Sequence, residues 1–124
     1  MTIKCIIDYS LDLEIIKPDS DTSIDEYLSN VQKSVLTKRG LGVSRRLIDL
    51  SLLNYLENKS DASKFMLAMN QEVSVHRTKK VAILFREITD AMDLESIIPF
   101  LAESKAEVRL FVDKGKAVSF LNDE

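Results

Sequence analysis

Val81-Ala82-Ile83-Leu84-Phe85 is an unbroken apolar segment, and a second segment, Val108-Arg109-Leu110-Phe111-Val112, follows it after a stretch with helical spacing. Continuous apolar runs of about five residues that alternate with helices are typical of parallel strands buried on both faces of a sheet. A short helix that ends near Leu121 completes the pattern. The end of the chain therefore predicts an α/β fold.

The beginning of the chain predicts a pair of antiparallel strands. Apolar and polar residues alternate from Ile3 to Asp8, which indicates a half-buried strand. Residues 10–12 form a predicted turn, and a second strand covers residues 13–17 before Pro18 closes it. Because so short a connection cannot cross over the sheet, the two strands form a hairpin.

Helices and strands alternate after the hairpin. Ser23 and Glu26 form a capping box that starts a helix, and a third strand covers residues 46–50. Two later helices are predicted, one that begins at Asn58 or Ser60 and one that begins near Thr89 or Asp93 and ends at Ser104. Because Pro99 is unfavourable inside a helix, the second either becomes regular only at about Ser96 or kinks at the proline. The prediction is a single α/β domain over residues 1–124, with a mixed five-stranded sheet and about four helices. The opening hairpin supplies the antiparallel strand, and parallel βα units follow.

The composition excludes several classes of function. The chain has 124 residues, is 45% hydrophobic and carries a formal net charge of −3, without the basic surplus that binds nucleic acid. No apolar run is long enough for a signal peptide or a membrane-spanning helix. Cys5 and His76 are the single cysteine and the single histidine, too few for a disulfide or a zinc site. We therefore expect a cytoplasmic protein without a metal, another cofactor or a nucleic-acid partner.

Ligands of open α/β sheets bind beyond the carboxyl ends of the parallel strands. There the sequence places three polar residues that we predict to bind a partner or ligand: Ser51, Asn54 and Arg86. Residues of these types also serve as ordinary caps and turn residues. No nucleophile stands beside a base, so we expect no enzyme. Arg45 and Arg46 lie at the other end of the third strand, where we expect solvated surface side chains.

Several motifs make the chain similar to a known family. They are the opening hairpin, the strand RLIDLS at residues 46–51, the strand KVAILF at residues 80–85 and the ending EVRLFVDKGKAVSFL at residues 107–121. With these motifs the chain resembles a SpoIIAA-like domain, the STAS fold of anti-sigma-factor antagonists and sulfate-transporter tails. The resemblance covers essentially the whole chain. It implies a non-catalytic, regulatory role in which the chain binds a protein partner.

The resemblance also points to a candidate switch residue. Antagonists of this family are regulated by phosphorylation of a serine in an Asp-Ser/Thr-Ser-Gly turn after the third strand. The corresponding residues are Glu57-Asn58-Lys59-Ser60, which lack that motif and its glycine, so the nearby serine is Ser60. A phosphate there would lie at a helix N-terminus, a favourable place for it. A simple N-cap role explains the same serine.

A second hypothesis follows from the same resemblance, because this branch of the family is similar in fold to CRAL-TRIO lipid-binding domains. It predicts a lipid or other apolar small molecule beneath the helices, lined by Phe65, Met66, Met69 and Phe100. Apolar residues at helical spacing are also ordinary core.

A homodimer is a further expectation, since the hairpin edge at residues 3–9 can pair with the same edge of a second copy.

Overall fold

Strands and helices follow one another as β-β-α-β in the first half of the computed structural model, which describes residues 3–37, 42–52, 64, 67, 78–86 and 106–123. The strands are β1 (Ile3–Asp8), β2 (Leu13–Pro18), β3 (Arg45–Asp49), β4 (Lys80–Leu84) and β5 (Glu107–Phe111). The helices within the described residues are α1 (Ile24–Thr37) and α2 (Lys114–Asn122).

The sheet has the predicted mixed topology. β1 pairs antiparallel with β2, and β3, β4 and β5 then follow parallel to β2 in the order of the chain. Each of the last three strands begins and ends one residue earlier than predicted. The sequence predicts about four helices, of which the described residues contain two. Of the helix predicted from residue 58 or 60, the structure describes only residues 64 and 67, and both are helical. The helix predicted from residue 89, 93 or 96 lies outside the described residues.

The central strands are buried on both faces, as their apolar runs predict. Successive side chains of a strand point to opposite faces. Leu47 and Ala82 lie on one face, Ile48 and Ile83 lie on the other, and none of the four is more than 1% exposed. Burial on both faces is the reason that these strands read as continuous apolar segments rather than as alternating ones.

α1 begins where the capping box predicts. The Ser23 hydroxyl accepts a hydrogen bond from the Glu26 backbone N–H at 3.1 Å, which satisfies one of the donors left over at a helix start. Tyr27 and Val31, one turn apart, are 1% and 2% exposed. The helix therefore packs through one apolar stripe.

α2 covers one face of the sheet, which we call the α2 face; the other side is the opposite face. Asp113 is the N-cap of the helix and accepts a hydrogen bond from the Lys116 backbone N–H at 3.2 Å. Ala117 and Leu121 are buried in a cluster with three residues of β3 and β4, namely Leu47, Ala82 and Leu84. This packing fixes α2 over the β3–β5 side of the sheet.

Two basic residues of the sheet bind the carboxyl end of α2. Arg45 Nη1 donates to the Leu121 carbonyl at 2.8 Å, and Lys80 Nζ donates to the Phe120 carbonyl at 3.2 Å. Such cations satisfy terminal carbonyls and offset the negative end of the helix dipole. Arg45 Nε also donates to the Asp12 carbonyl at 3.2 Å, so this side chain joins the hairpin turn to α2.

The prediction that Arg45 and Arg46 are solvated is wrong. Arg46 is fully buried, forms an ion pair with Glu14 and donates from Nε to the Thr78 hydroxyl at 2.8 Å. Glu14 and Arg46 are register partners on β2 and β3, so each buried charge lies beside its counter-charge, as a buried charge requires. Arg45 is half-buried because its guanidinium binds the backbone of two other elements.

Asp12 ties the hairpin turn to the start of β3. Its carboxylate accepts hydrogen bonds from the Ser44 backbone N–H at 2.7 Å and from the Ser44 hydroxyl. Its φ of 53° is in the left-handed region, which aspartate adopts more readily than most residues. Burial alone raises the pKa of Asp12, but the Ser44 hydrogen bonds and the charges of Arg45 and Lys79 outweigh it and lower the pKa below 3.8.

Candidate functional site

Two of the four predicted site residues, counting the candidate switch residue Ser60, lie in the described part of the chain. Ser51 follows β3 and Arg86 follows β4, and these strands are neighbours in the sheet. Both residues therefore lie at the end of the sheet where the parallel strands finish, which we call the carboxyl rim. Asn54 and Ser60 lie outside the described residues. A binding role for the four residues stays a prediction.

Ser51 is held in a turn that ends β3. Asp49 Oδ1 accepts hydrogen bonds from the Ser51 backbone N–H at 3.0 Å and from the Ser51 hydroxyl at 2.5 Å. Asp49 Oδ2 lies 3.7 Å from Lys17 Nζ on the neighbouring strand. The Ser51 hydroxyl proton is thus engaged by the aspartate two residues before it, in the way that ordinary turn chemistry predicts.

The same arrangement ends β1 at the other end of the sheet. Asp8 Oδ1 accepts hydrogen bonds from the Ser10 backbone N–H at 3.0 Å and from the Ser10 hydroxyl at 2.5 Å. The hydroxyl hydrogen bond, helped by the Leu11 backbone N–H, lowers the pKa of Asp8. Because the two turns share their geometry and lie at opposite rims, the Asp-x-Ser pattern at residues 49–51 is a strand-ending turn. It is not by itself a sign of catalysis.

Sequence reasoning did not single out a charged depression on the α2 face of β1 and β2, a surface that we call the hairpin face. Lys4 and Lys17 are register partners there, and with Asp19 and Leu52 they line a depression of about 330 Å³. α2 packs mainly against β3, β4 and β5, and no other described helix packs on the hairpin face. Like charges directly opposite each other repel. Among the described residues, Asp49 offsets the charge of Lys17 but no carboxylate pairs with Lys4.

β1 forms one edge of the sheet. In the part of the chain that the structure describes, no strand pairs with its outer side, so the N–H and C=O groups along that side are open to pairing with another chain. Three large apolar side chains in and just after β1 are exposed: Ile6 is 57%, Tyr9 66% and Leu11 59% exposed. Exposed apolar groups beside an open edge are a feature of interaction surfaces.

α1 borders this edge from the opposite face. Ile3 of β1 and a row of α1 residues line a second depression, of about 280 Å³. The α1 residues are Glu26, Ser29, Asn30 and Lys33. The outer edge of β1 is therefore flanked by a polar depression on one side and by the hairpin face on the other.

The predictions on metal ligands, membrane helices and an apolar ligand concern residues of which the structure describes only some. Among the described residues, no three His, Cys, Asp or Glu side chains are placed to hold a metal ion. In the same ranges no helix has the length and apolar character needed to span a membrane. Cys5 is half-buried in β1. His76 lies outside the described residues, as do the predicted apolar lining residues Phe65, Met66, Met69 and Phe100, so the apolar-ligand hypothesis stays a prediction.

Comparisons with known proteins give no relative from which a function could be transferred. No family model matches the chain, and neither a curated protein nor a solved structure matches it significantly. The resemblance to SpoIIAA-like domains therefore stays a prediction.

Proposed function

We propose that the chain is a cytoplasmic, non-catalytic protein-interaction module that binds its partner along the outer edge of β1. The observation that carries the proposal is the edge itself, a six-residue strand with an exposed isoleucine, Ile6, at its centre. Proteins usually shorten, cover or twist away an edge of this kind. β1 is as long as an ordinary internal strand, which favours an interaction in which another chain supplies the next strand.

Strand addition provides affinity through main-chain hydrogen bonds and specificity through alternate side chains. On the hairpin face, the added strand would meet Lys4, Ile6 and Asp8 in that order. The matching segment carries an apolar residue between an acidic and a basic one. A carboxylate opposite Lys4 would also offset the repulsion between Lys4 and Lys17, which are register partners.

The turn chemistry at the strand ends supports a non-catalytic role. The Ser51 and Ser10 hydroxyls each donate to the aspartate two residues earlier in the chain, so each has a structural use. The resemblance to anti-sigma-factor antagonists, which implies binding of a regulatory protein, also favours this proposal. In that resemblance, Ser60 is the candidate for phosphorylation.

A site-specific photocrosslink tests the proposal. Benzoylphenylalanine replaces Ile6 in one variant and replaces Leu36, an 82% exposed residue of α1, in the control. In cells, the variant at position 6 should give one discrete crosslinked product that the control lacks. Adding Lys4→Glu to the variant at position 6 should strongly reduce the yield of that product, because the charge facing the partner is reversed.

Two results would contradict the proposal. One is the absence of a discrete product from position 6. The other is a product whose yield is unchanged by Lys4→Glu or that forms equally from position 36, because such a product would not depend on the chemistry of the β1 edge.

A further inference from the structure

We infer that the partner at the outer edge of β1 is a second copy of this chain, paired antiparallel about a twofold axis that passes beside Ile6. The inference rests on the proposed function, because it names the occupant of the same edge. The two five-stranded sheets join into one continuous sheet across the axis. A closed twofold dimer of this kind uses one self-complementary surface.

A twofold axis restricts the possible pairings. An axis perpendicular to the sheet maps each face onto itself, so a residue can pair only with a residue on its own face. Ile6 is the register partner of Ile15, which packs on the cluster beneath α2; the even-numbered residues of β1 therefore share the α2 face. The axis must pass beside one residue of β1, not between two.

The axis beside Ile6 pairs every residue with a suitable neighbour. Lys4 lies opposite the second copy's Asp8, and symmetry forms this ion pair twice. Ile6 lies opposite its own copy, which covers the exposed isoleucine. On the opposite face, Cys5 lies opposite the second copy's Ile7.

The neighbouring registers lack this complementarity. With the axis beside Cys5, Lys4 lies opposite Ile6, so a charge faces an apolar side chain. With the axis beside Ile7, Ile6 lies opposite Asp8, and the same mismatch occurs. Charge complementarity therefore selects the register that is centred on Ile6, since opposite charges across strands attract and mismatches do not.

Asp8 can take part while it keeps its role in the turn. Its Oδ1 accepts the hydrogen bonds from the Ser10 and Leu11 backbone N–H groups, at 3.0 and 3.2 Å, and from the Ser10 hydroxyl. Among the described residues, no such bond uses its Oδ2, which can accept from the second copy's Lys4. A lysine on an edge strand ordinarily prevents pairing. Here the spacing Lys4-x-Ile6-x-Asp8 makes the edge complementary to itself.

The same register gives Tyr9 a place to pack. Tyr9 follows β1 and is 66% exposed, and in the dimer it lies opposite the second copy's Ile3. Ile3 lines the polar depression on the α1 side, together with Ser29 and Asn30. An aromatic ring with a hydroxyl group suits such a place, because its body is apolar and its tip forms hydrogen bonds.

β5 is the strand at the other edge of the sheet, and its charged side chains already have partners. On β5, Arg109 and Glu107 of the same strand form an ion pair at 2.9 Å. The Arg109 guanidinium also lies over the Phe120 ring, 5.0 Å from its centre. The charges of β5 therefore have partners within the chain, whereas Lys4 and Asp8 on β1 acquire each other as partners across the twofold axis.

Sedimentation equilibrium of the purified full chain tests the dimer. The wild-type chain should sediment as a dimer, and Lys4→Glu should weaken the dimer by about tenfold, because two attractive pairs become repulsive. The charge-swapped variant Lys4→Glu/Asp8→Lys should bind itself more tightly than Lys4→Glu alone, although it loses the Asp8 hydrogen bonds in the turn. The matched swap on the other edge, Glu107→Arg/Arg109→Glu, should leave the wild-type affinity unchanged. A monomeric wild-type chain would overturn the inference.

Disulfide trapping tests the register without disturbing the turn. In a Cys5→Ser background, Ile6→Cys should form a disulfide-linked dimer readily, because residue 6 faces its own copy within the distance that a disulfide spans. Wild-type Cys5 should crosslink much more slowly, because it lies diagonally across from its copy. Faster crosslinking through Cys5 would overturn the register.

The outcomes distinguish the dimer from binding of a different protein at the β1 edge. If the purified chain is monomeric and the photocrosslink at position 6 captures a different protein, the dimer fails while the proposed function survives. If no crosslink depends on Lys4, both fail.

Discussion

Arg46 and Glu14 face each other as register partners on β3 and β2, and their ion pair is 0% exposed on both sides. A buried pair gains little net stability, because both charges lose their water. Its effect is positional: a shift of β2 by one residue would move Glu14 to the other face and leave Arg46 without its counter-charge. The pair thereby fixes the register of the hairpin against the core and, with it, the face on which each β1 side chain lies.

Removal of one partner of this pair should be strongly destabilising. Arg46→Leu leaves the Glu14 carboxylate buried without its counter-charge, and we expect the free energy of unfolding in urea to fall by about 3 kcal/mol or more. The double variant Glu14→Leu/Arg46→Leu should recover most of this loss. The exposed pair offers a control, because Arg109→Leu should cost less than about 1 kcal/mol. Equal effects of Arg46→Leu and Arg109→Leu would refute the buried pair.

Asp12→Asn should make the free energy of unfolding less dependent on pH in the acidic range. The folded-state pKa of Asp12 lies below 3.8, so the charged carboxylate stabilises the fold above the unfolded-state pKa, and this contribution is lost as the pH falls through the folded-state pKa. Asparagine also tolerates the left-handed backbone at this position. We expect the variant to be about 1 to 2 kcal/mol less stable than wild type at pH 7.

Thermal or urea unfolding between pH 7 and pH 3 measures this difference. It should shrink as the pH falls below about 4. A difference that stays constant over the range would mean that the charge of Asp12 does not contribute.

Ser51→Ala and Ser10→Ala should both reduce stability, Ser51→Ala by more. Each variant removes a 2.5 Å hydrogen bond to the aspartate two residues earlier; Ser51→Ala should lower the free energy of unfolding by about 1 kcal/mol, and Ser10→Ala should lower it less, because its hydrogen bond is exposed. Neither should change the photocrosslink from position 6. If Ser51→Ala abolished binding with its stability intact, the carboxyl rim rather than the β1 edge would be the binding surface.

The fold could be predicted because its signal is local. The apolar runs at residues 81–85 and 108–112 mark β4 and β5 to within one residue at each end, and the short turn after Asp8 fixes the hairpin. The offset of one residue arises because the first paired residues, Lys80 and Glu107, are charged. Pairing of their backbones does not require an apolar side chain.

The buried Arg46 could not be predicted, because its environment depends on residues distant in sequence. Glu14 and Thr78 lie 32 residues away on either side, and only the sheet register brings them together. The turn at the carboxyl rim, in contrast, could be predicted from neighbouring residues. Asp49 and Ser51 form a short local pattern, and the identical turn at Asp8 and Ser10 identifies it as turn chemistry. The charged spacing of β1 becomes meaningful only once the strand is known to lie at an edge.

Amide hydrogen exchange along β1 tests the central claim most directly. The backbone N–H groups on the outer side of an edge strand exchange readily, and they become protected when another strand pairs with them. As the concentration of the purified chain increases, protection of Ile3–Asp8 should rise while that of Glu107–Phe111 stays constant, and Lys4→Glu should shift the rise to about tenfold higher concentration. Exchange of β1 that is independent of concentration and unchanged by Lys4→Glu would contradict the pairing of this edge.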